Sequence, residues 1–467
     1  MSEVEEQFRE GEALLVANAW DSEGFARGLE LLRRSAAAGF VEAAVTLGDV
    51  HSQTPGLANA AGESAHWYRQ AADAGHPVAQ DRLADLCMLG RGLPRDDARA
   101  LAWYARTAAQ AYPHALCNLA YMHAEGLGTP PDARAAAELY RRALALADPC
   151  GLFNFGLRYA QSDDESLLPA AHACLALAAF ANYPLAEGEF ARVTARLDSA
   201  GAERARGLAA DLRARLRAFQ ERAHSDIALA ADPQALLGFA EENLGALDEP
   251  ALHAAAAATA KGRPHRADPP RDVSASPRIF TVDSFVSVSE CAHFMTLAED
   301  RFTPSRKAML EHLSGEQSAF SGEAATLLAP DSDAIVRNVE RRIAAAFDLD
   351  AAHVEPLSVL RYREQDRYAT HVDYFDSARL ENNRRNGDRG GQRIASFLVY
   401  LRAPETGGET HYLKIGQKIA GRAGMALCHF NLGPDGKPDP LTLHTGEPVR
   451  RGEKWLARTT LREHPLF

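Results

Sequence analysis

Leu357-Ser358-Val359-Leu360-Arg361-Tyr362, followed by Tyr368-Ala369-Thr370-His371-Val372-Asp373-Tyr374-Phe375, is the most informative stretch of this 467-residue chain. The first run alternates apolar and polar side chains with the period of a strand. His371 and Asp373 are therefore expected in extended backbone. There, residues two apart point to one side, whereas on a helix they would diverge by roughly 200°. Further along stand His444 and, ten residues later, Lys454. A His-x-Asp pair with a distant His supplies the two-His-one-carboxylate set of a mononuclear non-haem iron(II) site, with positions left open for other ligands. A Lys on the strand after the distal His can reach the far carboxylate of a 2-oxo acid bound there.

The dipeptide alone carries little weight in a chain with 17 His. His224-Ser225-Asp226 repeats the pattern, and His123/Glu125 and His353/Glu355 come close to it. His224 lies in an Ala/Leu/Arg/Glu-rich run of helical periodicity, and His123 is at the end of a repeat helix. Neither pair can present two ligands to one metal. His353 precedes Pro356 and reads as a surface residue at a helix–strand junction. His411 is expected near the rim. His429, on an apolar strand, reads as a satisfied core histidine.

Net charge is −12 and the pI about 5.8, which argues against general affinity for nucleic acid or acidic membranes. The six Cys are scattered without a Cys-x-x-Cys, as in proteins of reducing compartments. Met1-Ser2-Glu3-Val4-Glu5-Glu6 is acidic and lacks the basic start and apolar core of a secretory signal. No apolar run is long enough to span a bilayer. The expectation is a soluble, cytoplasmic protein.

Residues 1–261 are read as a helical repeat array. At an offset of 36, Gly39, Gly75, Ala111 and Ala147 fall together, as do Leu47, Leu83, Leu119 and Phe155. Trp67-Tyr68 matches Trp103-Tyr104, and Gly90-x-Gly92-x-Pro94 matches Gly126-x-Gly128-x-Pro130. A worn copy runs through Ala171–Ala191. Such a period, with Ala at tight contacts and Gly/Pro at turns, indicates stacked helix–turn–helix units, an α-solenoid. The Trp/Tyr pairs are expected at core positions. Ala254–Ala260 reads as the last helix, and the Gly/Pro-rich segment 262–277 as a linker. The pattern resembles Sel1-like repeats, relatives of the tetratricopeptide class. That resemblance implies a concave surface that binds proteins or peptides.

Residues 278–467 are expected to be a β-domain with flanking helices. Ser287, with Glu290 three residues later, reads as a helix start, and a second helix fits Asp331–Phe347. Short alternating runs at 357–363, 393–401, 409–413, 425–432 and 454–462 point to a double-stranded β-helix, or jelly roll. The fold class is thus multidomain α + β. Residues 376–392, polar and Gly/Asn-rich, read as a mobile loop.

Residues 278–463 resemble the prolyl 4-hydroxylase type of 2-oxoglutarate/Fe(II) dioxygenase. The resemblance is carried by Leu360-Arg361-Tyr362, Tyr368-x-x-His371-x-Asp373-Tyr374-Phe375 and Arg393–Leu401. Gly407-Gly408-Glu409-Thr410 and His444-x-Gly446-x-Pro448-Val449-x-x-Gly452-x-Lys454-Trp455 complete it. It implies His371, Asp373 and His444 as iron ligands, and Lys454 and Tyr362 as holders of the distal 2-oxoglutarate carboxylate. Tyr368 and Arg393 would line the peptide side. The implied cofactors are Fe(II), 2-oxoglutarate and O₂, with ascorbate as candidate reductant. Two departures touch the substrate wall. Ser318-Ala319-Phe320-Ser321-Gly322 replaces the family's Arg-x-Ser segment, and Thr460 stands where a Trp is usual six residues beyond the Lys. The reading is a hydroxylase of a protein or peptide, at proline, with the repeats recruiting the target. The alternatives are a hydroxylase of a free or carrier-bound amino acid, and a non-catalytic scaffold or sensor.

Overall fold

In the computed structural model the chain divides into two compact units, one of residues 1–264 with 332–334 and the other of residues 265–331 with 335–467. The structure describes residues 2–54, 57, 59–161, 165–225, 267–299, 301–304, 320–327, 333–385 and 390–466. The expected Ala254–Ala260 helix, residues 262–266 of the linker, Asp226 and the Ser318-Ala319 dipeptide lie outside them.

Among its described residues the first unit is all helical. Its elements are α1 (Glu3–Ala17), α2 (Glu23–Ala37), α3 (Val41–Gln53), α4 (Ala60–Asp73), α5 (Pro77–Leu89) and α6 (Asp97–Ala108), followed by α7 (Pro113–Glu125), α8 (Ala133–Ala145), α9 (Pro149–Ala160), α10 (Leu168–Phe180), α11 (Ala186–Thr194) and α12 (Ser199–Ser225). Pro77, Pro113 and Pro149, spaced by the repeat, each open a helix. The missing proline N–H has no helical partner there in any case. Asp96, Asp132 and Asp148 cap α6, α8 and α9 through their carboxylates. Trp67, Tyr68, Trp103 and Tyr104 are buried, as expected of core residues. Tyr68 donates to Asp49 and Tyr104 to Asp85, each at 2.5 Å, so two successive repeats make the same Tyr–Asp bond.

The repeat turns need left-handed backbone. Gly39, Gly75, Ala111 and Ala147 have φ of 91°, 93°, 55° and 59°. The position is cheap for Gly and strained for Ala. A Cβ on Gly75 would meet nothing within 4 Å, but one on Gly92 (φ 71°) would lie 2.0 Å from the Ala61 carbonyl oxygen.

Among the described residues the second unit is built from three α-helices and two main sheets. Its strands are β1 (Arg271–Ala275), β2 (Arg278–Val282), β3 (Thr303–Pro304), β4 (Glu323–Thr326), β5 (Ser358–Tyr362), β6 (Tyr368–His371) and β7 (Arg393–Arg402), then β8 (Thr406–Gly407), β9 (Thr410–Tyr412), β10 (Gln417–Ile419), β11 (Ala426–Phe430), β12 (His444–Gly446), β13 (Val449–Arg451) and β14 (Lys454–Arg462). The large sheet runs β1-β2-β11-β7-β14-β5-β4-β3 and the smaller one β10-β9-β12-β6, with β13-β8 as a separate pair. This is the jelly roll expected from the sequence.

The flanking helices are α13 (Val288–Glu299) and α14 (Ala334–Ala345). Ser287 and Glu290 bond reciprocally, side chain to backbone N–H, at the start of α13, which is the capping box read from the sequence. Both faces of β14 are covered. Lys454, Leu456, Arg458 and Thr460 turn to the interior cavity, while Trp455 packs edge-on against Phe302.

Two local expectations are corrected. Arg271–Ala275, placed in the linker by composition, pairs with β2 as an edge strand. Ser377–Arg385, read as loop, is a helix (α15) whose first turn is tied by Asp376 accepting from the Arg379 N–H. It buries none of its residues, so no apolar stripe announced it.

Gly75→Ala should lower stability by about 1 kcal/mol, the cost of a Cβ in left-handed backbone. Gly92→Ala should cost clearly more, because a backbone clash is added. Thermal denaturation of the two variants checks the order.

Candidate active site

The site begins with strand register. β6 and β12 are antiparallel neighbours, and His371 lies directly opposite His444, their ring centroids 4.3 Å apart. Asp373 follows the end of β6, with Oδ1 3.4 Å from His371 Nε2. One donor atom from each of His371, Asp373 and His444 falls within 4.8 Å of the other two. That spacing suits a single first-row metal ion.

The hydrogen bonds fix which nitrogen faces inward. His371 Nδ1 is 2.8 Å from the Ala369 carbonyl oxygen and His444 Nδ1 2.9 Å from that of Thr442. A carbonyl can only accept, so each Nδ1 carries the proton and each Nε2 presents its lone pair. Burial lowers His444 to about 3, so its ring is neutral. Burial alone would raise the Asp373 carboxyl, but His371 and His429 beside it outweigh that and hold it well below the usual range.

Asp373 is held from behind. Ser396 donates to its Oδ2 at 2.7 Å, and Asn431 donates to Ser396 at 3.1 Å. His429 Nε2 is 3.3 Å from the same Oδ2, while its Nδ1 is 2.8 Å from the Tyr412 hydroxyl. Oδ1 is thereby left for a metal. His429 is a fully buried core residue, but its Nε2 also approaches the Asp373 carboxylate, which the sequence reading missed. The available signal was register, since His429 pairs with Ser396 across β11 and β7.

The cavity in front of this cluster encloses about 440 Å³ of empty space, its mouth included. Lys454 and Tyr362 face each other across β14 and β5, and both line it. Lys454 is buried, and its Nζ donates to the Gly408 carbonyl at 2.8 Å and lies 5.0 Å from the Tyr362 ring. Among the described residues no carboxylate pairs with it. Burial lowers its pKa to about 8. The Tyr362 hydroxyl bonds to no described residue. A buried ammonium without a counter-ion beside an unused hydroxyl fits one end of a dicarboxylate.

The other expected residues divide. Tyr368 lines the cavity, its ring 4.0 Å from that of His371. Arg393 does not line it. Its guanidinium grips both oxygens of Glu355 at 2.9 and 2.7 Å, stacks on Phe375 and reaches the Asp373 carbonyl at 3.5 Å, so it stands behind the triad and not on the cavity wall. Arg462 shares Glu355 at 3.0 Å, so Glu355, two residues beyond His353, is a half-buried ion-pair hub. His353 itself is half-buried, its Nδ1 3.0 Å from the Arg462 carbonyl oxygen. His224 and His123 sit on α12 and α7, as expected. His411 is tied to Glu447 at 2.9 Å, away from the cluster.

Residues 357–461 match the family model of the 2OG-Fe(II) oxygenase superfamily, and residues 59–76, 77–112 and 113–148 match that of the Sel1 repeat. Prolyl 4-hydroxylase 2 of Arabidopsis thaliana is 32% identical over 208 residues, which are 40% of this chain and 68% of that protein. Prolyl 4-hydroxylase 1 of the same plant is 32% identical over 210 residues, 42% and 72% of the two chains. The chain belongs to the prolyl 4-hydroxylase family. Among solved structures, a viral collagen prolyl hydroxylase from Paramecium Bursaria Chlorella virus-1 is 24% identical. The match covers 39% of this chain and 95% of that one, with a TM-score of 0.31. This prolyl 4-hydroxylase family member is a 2-oxoglutarate- and Fe(II)-dependent dioxygenase, using Fe(II), 2-oxoglutarate and O₂.

Two outcomes are expected of the site. Ser396→Ala should weaken Fe(II) binding about tenfold or more, as loss of a bond to a ligating carboxylate does; anaerobic metal titration measures it. Lys454 has a folded pKa of about 8 against an ordinary 10.5. The unfolded chain therefore holds its proton to higher pH, and the stability of the co-substrate-free protein should rise between those values. Lys454→Met should flatten that rise in denaturant titrations, and in the wild type 2-oxoglutarate affinity should fall above pH 8.

Proposed function

We propose that the enzyme hydroxylates a protein or peptide, at proline, and that its repeats recruit the target. The observation that carries the reading is the placement of an iron-type triad within one cavity with an unpaired, buried Lys454. In this reading His371, Asp373 and His444 hold Fe(II), and Lys454 and Tyr362 hold the distal carboxylate of 2-oxoglutarate. When bound, iron and 2-oxoglutarate supply the oxidative chemistry: the co-substrate and O₂ yield succinate and CO₂, and one oxygen atom enters a substrate C–H bond.

The chain's own groups have three tasks. The two Nδ1–H bonds keep the imidazoles in the coordinating tautomer. Ser396 holds the Asp373 carboxylate in place by its hydrogen bond, with the His429 imidazole packed beside it. The aromatic and aliphatic wall of Tyr362, Tyr368, Leu360, Leu398 and Leu456 limits water around the reacting centre. Proline as target rests on the relatives, which are prolyl 4-hydroxylases by name. Recruitment rests on the Sel1 repeats. The altered wall at Thr460 favours a second reading, a free or carrier-bound amino acid as substrate.

Among the described residues no helix is long and apolar enough to cross a membrane. All six cysteines are free, which suits a reducing compartment, and the cytoplasm is the location proposed.

Succinate release by the Fe(II)-loaded protein on admission of O₂ tests the reading. His371→Ala and Lys454→Ala should lose turnover by about a hundredfold or more, and His224→Ala should keep it. A proline-rich peptide pool should stimulate release and gain the mass of one oxygen. Stimulation by free amino acids but not by peptides would favour the second reading.

A further inference from the structure

Lys454 is not the only cation in the cavity. Arg458 lies four residues along the same face of β14, and it too lines the space in front of the triad. It is half-buried, its Nη1 3.4 Å from the Tyr368 hydroxyl oxygen and its guanidinium carbon 5.8 Å from that ring. No carboxylate among the described residues lies within ion-pair distance of it. The neighbouring guanidiniums differ in this respect. Arg393 and Arg462 close on Glu355, and Arg361 closes on Glu299 and Glu323. Arg458 is thus a cation whose fork of donors is mostly unused, held against the aromatic side chain that stacks on a triad histidine.

Charge makes the assignment sharper. Two neutral imidazoles and the Asp373 carboxylate around a divalent ion leave one positive charge. Together with Lys454 this balances the dianion 2-oxoglutarate. Arg458 is the charge left over. In a low-dielectric cavity such a charge calls for an anion, and a guanidinium matches a carboxylate in a two-pronged geometry. The wall beside it consists of Thr459 and Thr460, small side chains that leave room for a ligand.

We propose that Arg458 receives a carboxylate of the substrate and selects targets that carry negative charge beside the carbon to be oxidised. The inference rests on the oxygenase reading of the cavity given above. The carboxylate can belong to an acidic residue or terminus of a peptide, or to a free amino acid. Its place on β14, beyond Lys454, separates this contact from the one made to 2-oxoglutarate.

Binding to the full-length protein loaded anaerobically with Fe(II) and 2-oxoglutarate, measured by calorimetry, tests it. The probes are twins differing by one negative charge: a proline peptide flanked by Glu or by Gln, the same pair with Ala in place of Pro, and L-proline against L-prolinamide. Wild type should favour the charged member of at least one pair by about tenfold or more, as expected of a charge-assisted bond. The responding pair identifies the carboxylate's source. Arg458→Met should abolish the preference and Arg458→Lys restore part of it, while 2-oxoglutarate affinity changes less than about twofold.

Equal binding of every pair by wild type, or no binding of any carboxylate, overturns the proposal. So does a preference that survives in Arg458→Met, or a variant that loses 2-oxoglutarate affinity instead. Equal binding of the Pro and Ala peptides would refute the prolyl reading alone, since the Glu/Gln ratio still reports on Arg458.

Discussion

The pairing of β6 with β12 is the constraint on which the catalytic unit depends. It sets His371 opposite His444, and a slip of one residue would turn one imidazole out of the barrel. Little of the affinity of such a pair comes from the two short strands themselves. The register is enforced by the larger sheet behind them, where β14 is held between β5 and β7 over most of its length. The same pairings put Lys454 across from Tyr362 and bring Ser396 beneath Asp373. The candidate metal-binding triad, its supports and the buried Lys454 are thus consequences of one set of strand alignments.

Burial gives these polar groups their properties. Asp373 remains ionised in an apolar cavity because Ser396 and the neighbouring imidazoles lie against it, and burial lowers the Lys454 ammonium to about 8, with no carboxylate among the described residues close enough to pair with it. A barrel that encloses a cation in this way is not optimised for its own stability. The cost is tolerable when a dianion arrives to offset it, and binding then restores what folding gave up.

Much of this was legible in the sequence because period-two and period-36 patterns are strong physical signals. His371-x-Asp373 could be separated from His224-x-Asp226 by backbone type alone, and the left-handed turns appeared as aligned Gly and Ala. What escaped detection depended on partners far away in the chain. Arg393 looked like a pocket residue until Glu355 was seen to hold it. Ser396 and His429 are unremarkable letters in apolar strands, and only cross-strand register gives them Asp373. Arg458 could have been noticed, since it shares the parity of Lys454 on one strand, but a lone Arg near a chain end reads as solvated. α15 has no apolar face to betray it, and β1 was hidden by a Pro-rich neighbourhood.

The repeat turns have a further consequence. Gly occupies the left-handed position in the two earlier repeats and Ala in the two later ones, so backbone strain accumulates toward one end of the array. In a solenoid each unit is secured mainly by its neighbours, and opening can start wherever the local balance is poorest. The repeats around Ala111 and Ala147 should therefore exchange their amide hydrogens before those around Gly39 and Gly75. The array has a soft end and a stiff end, and a partner that must be accommodated by adjustment would find the adjustment cheapest at the soft one.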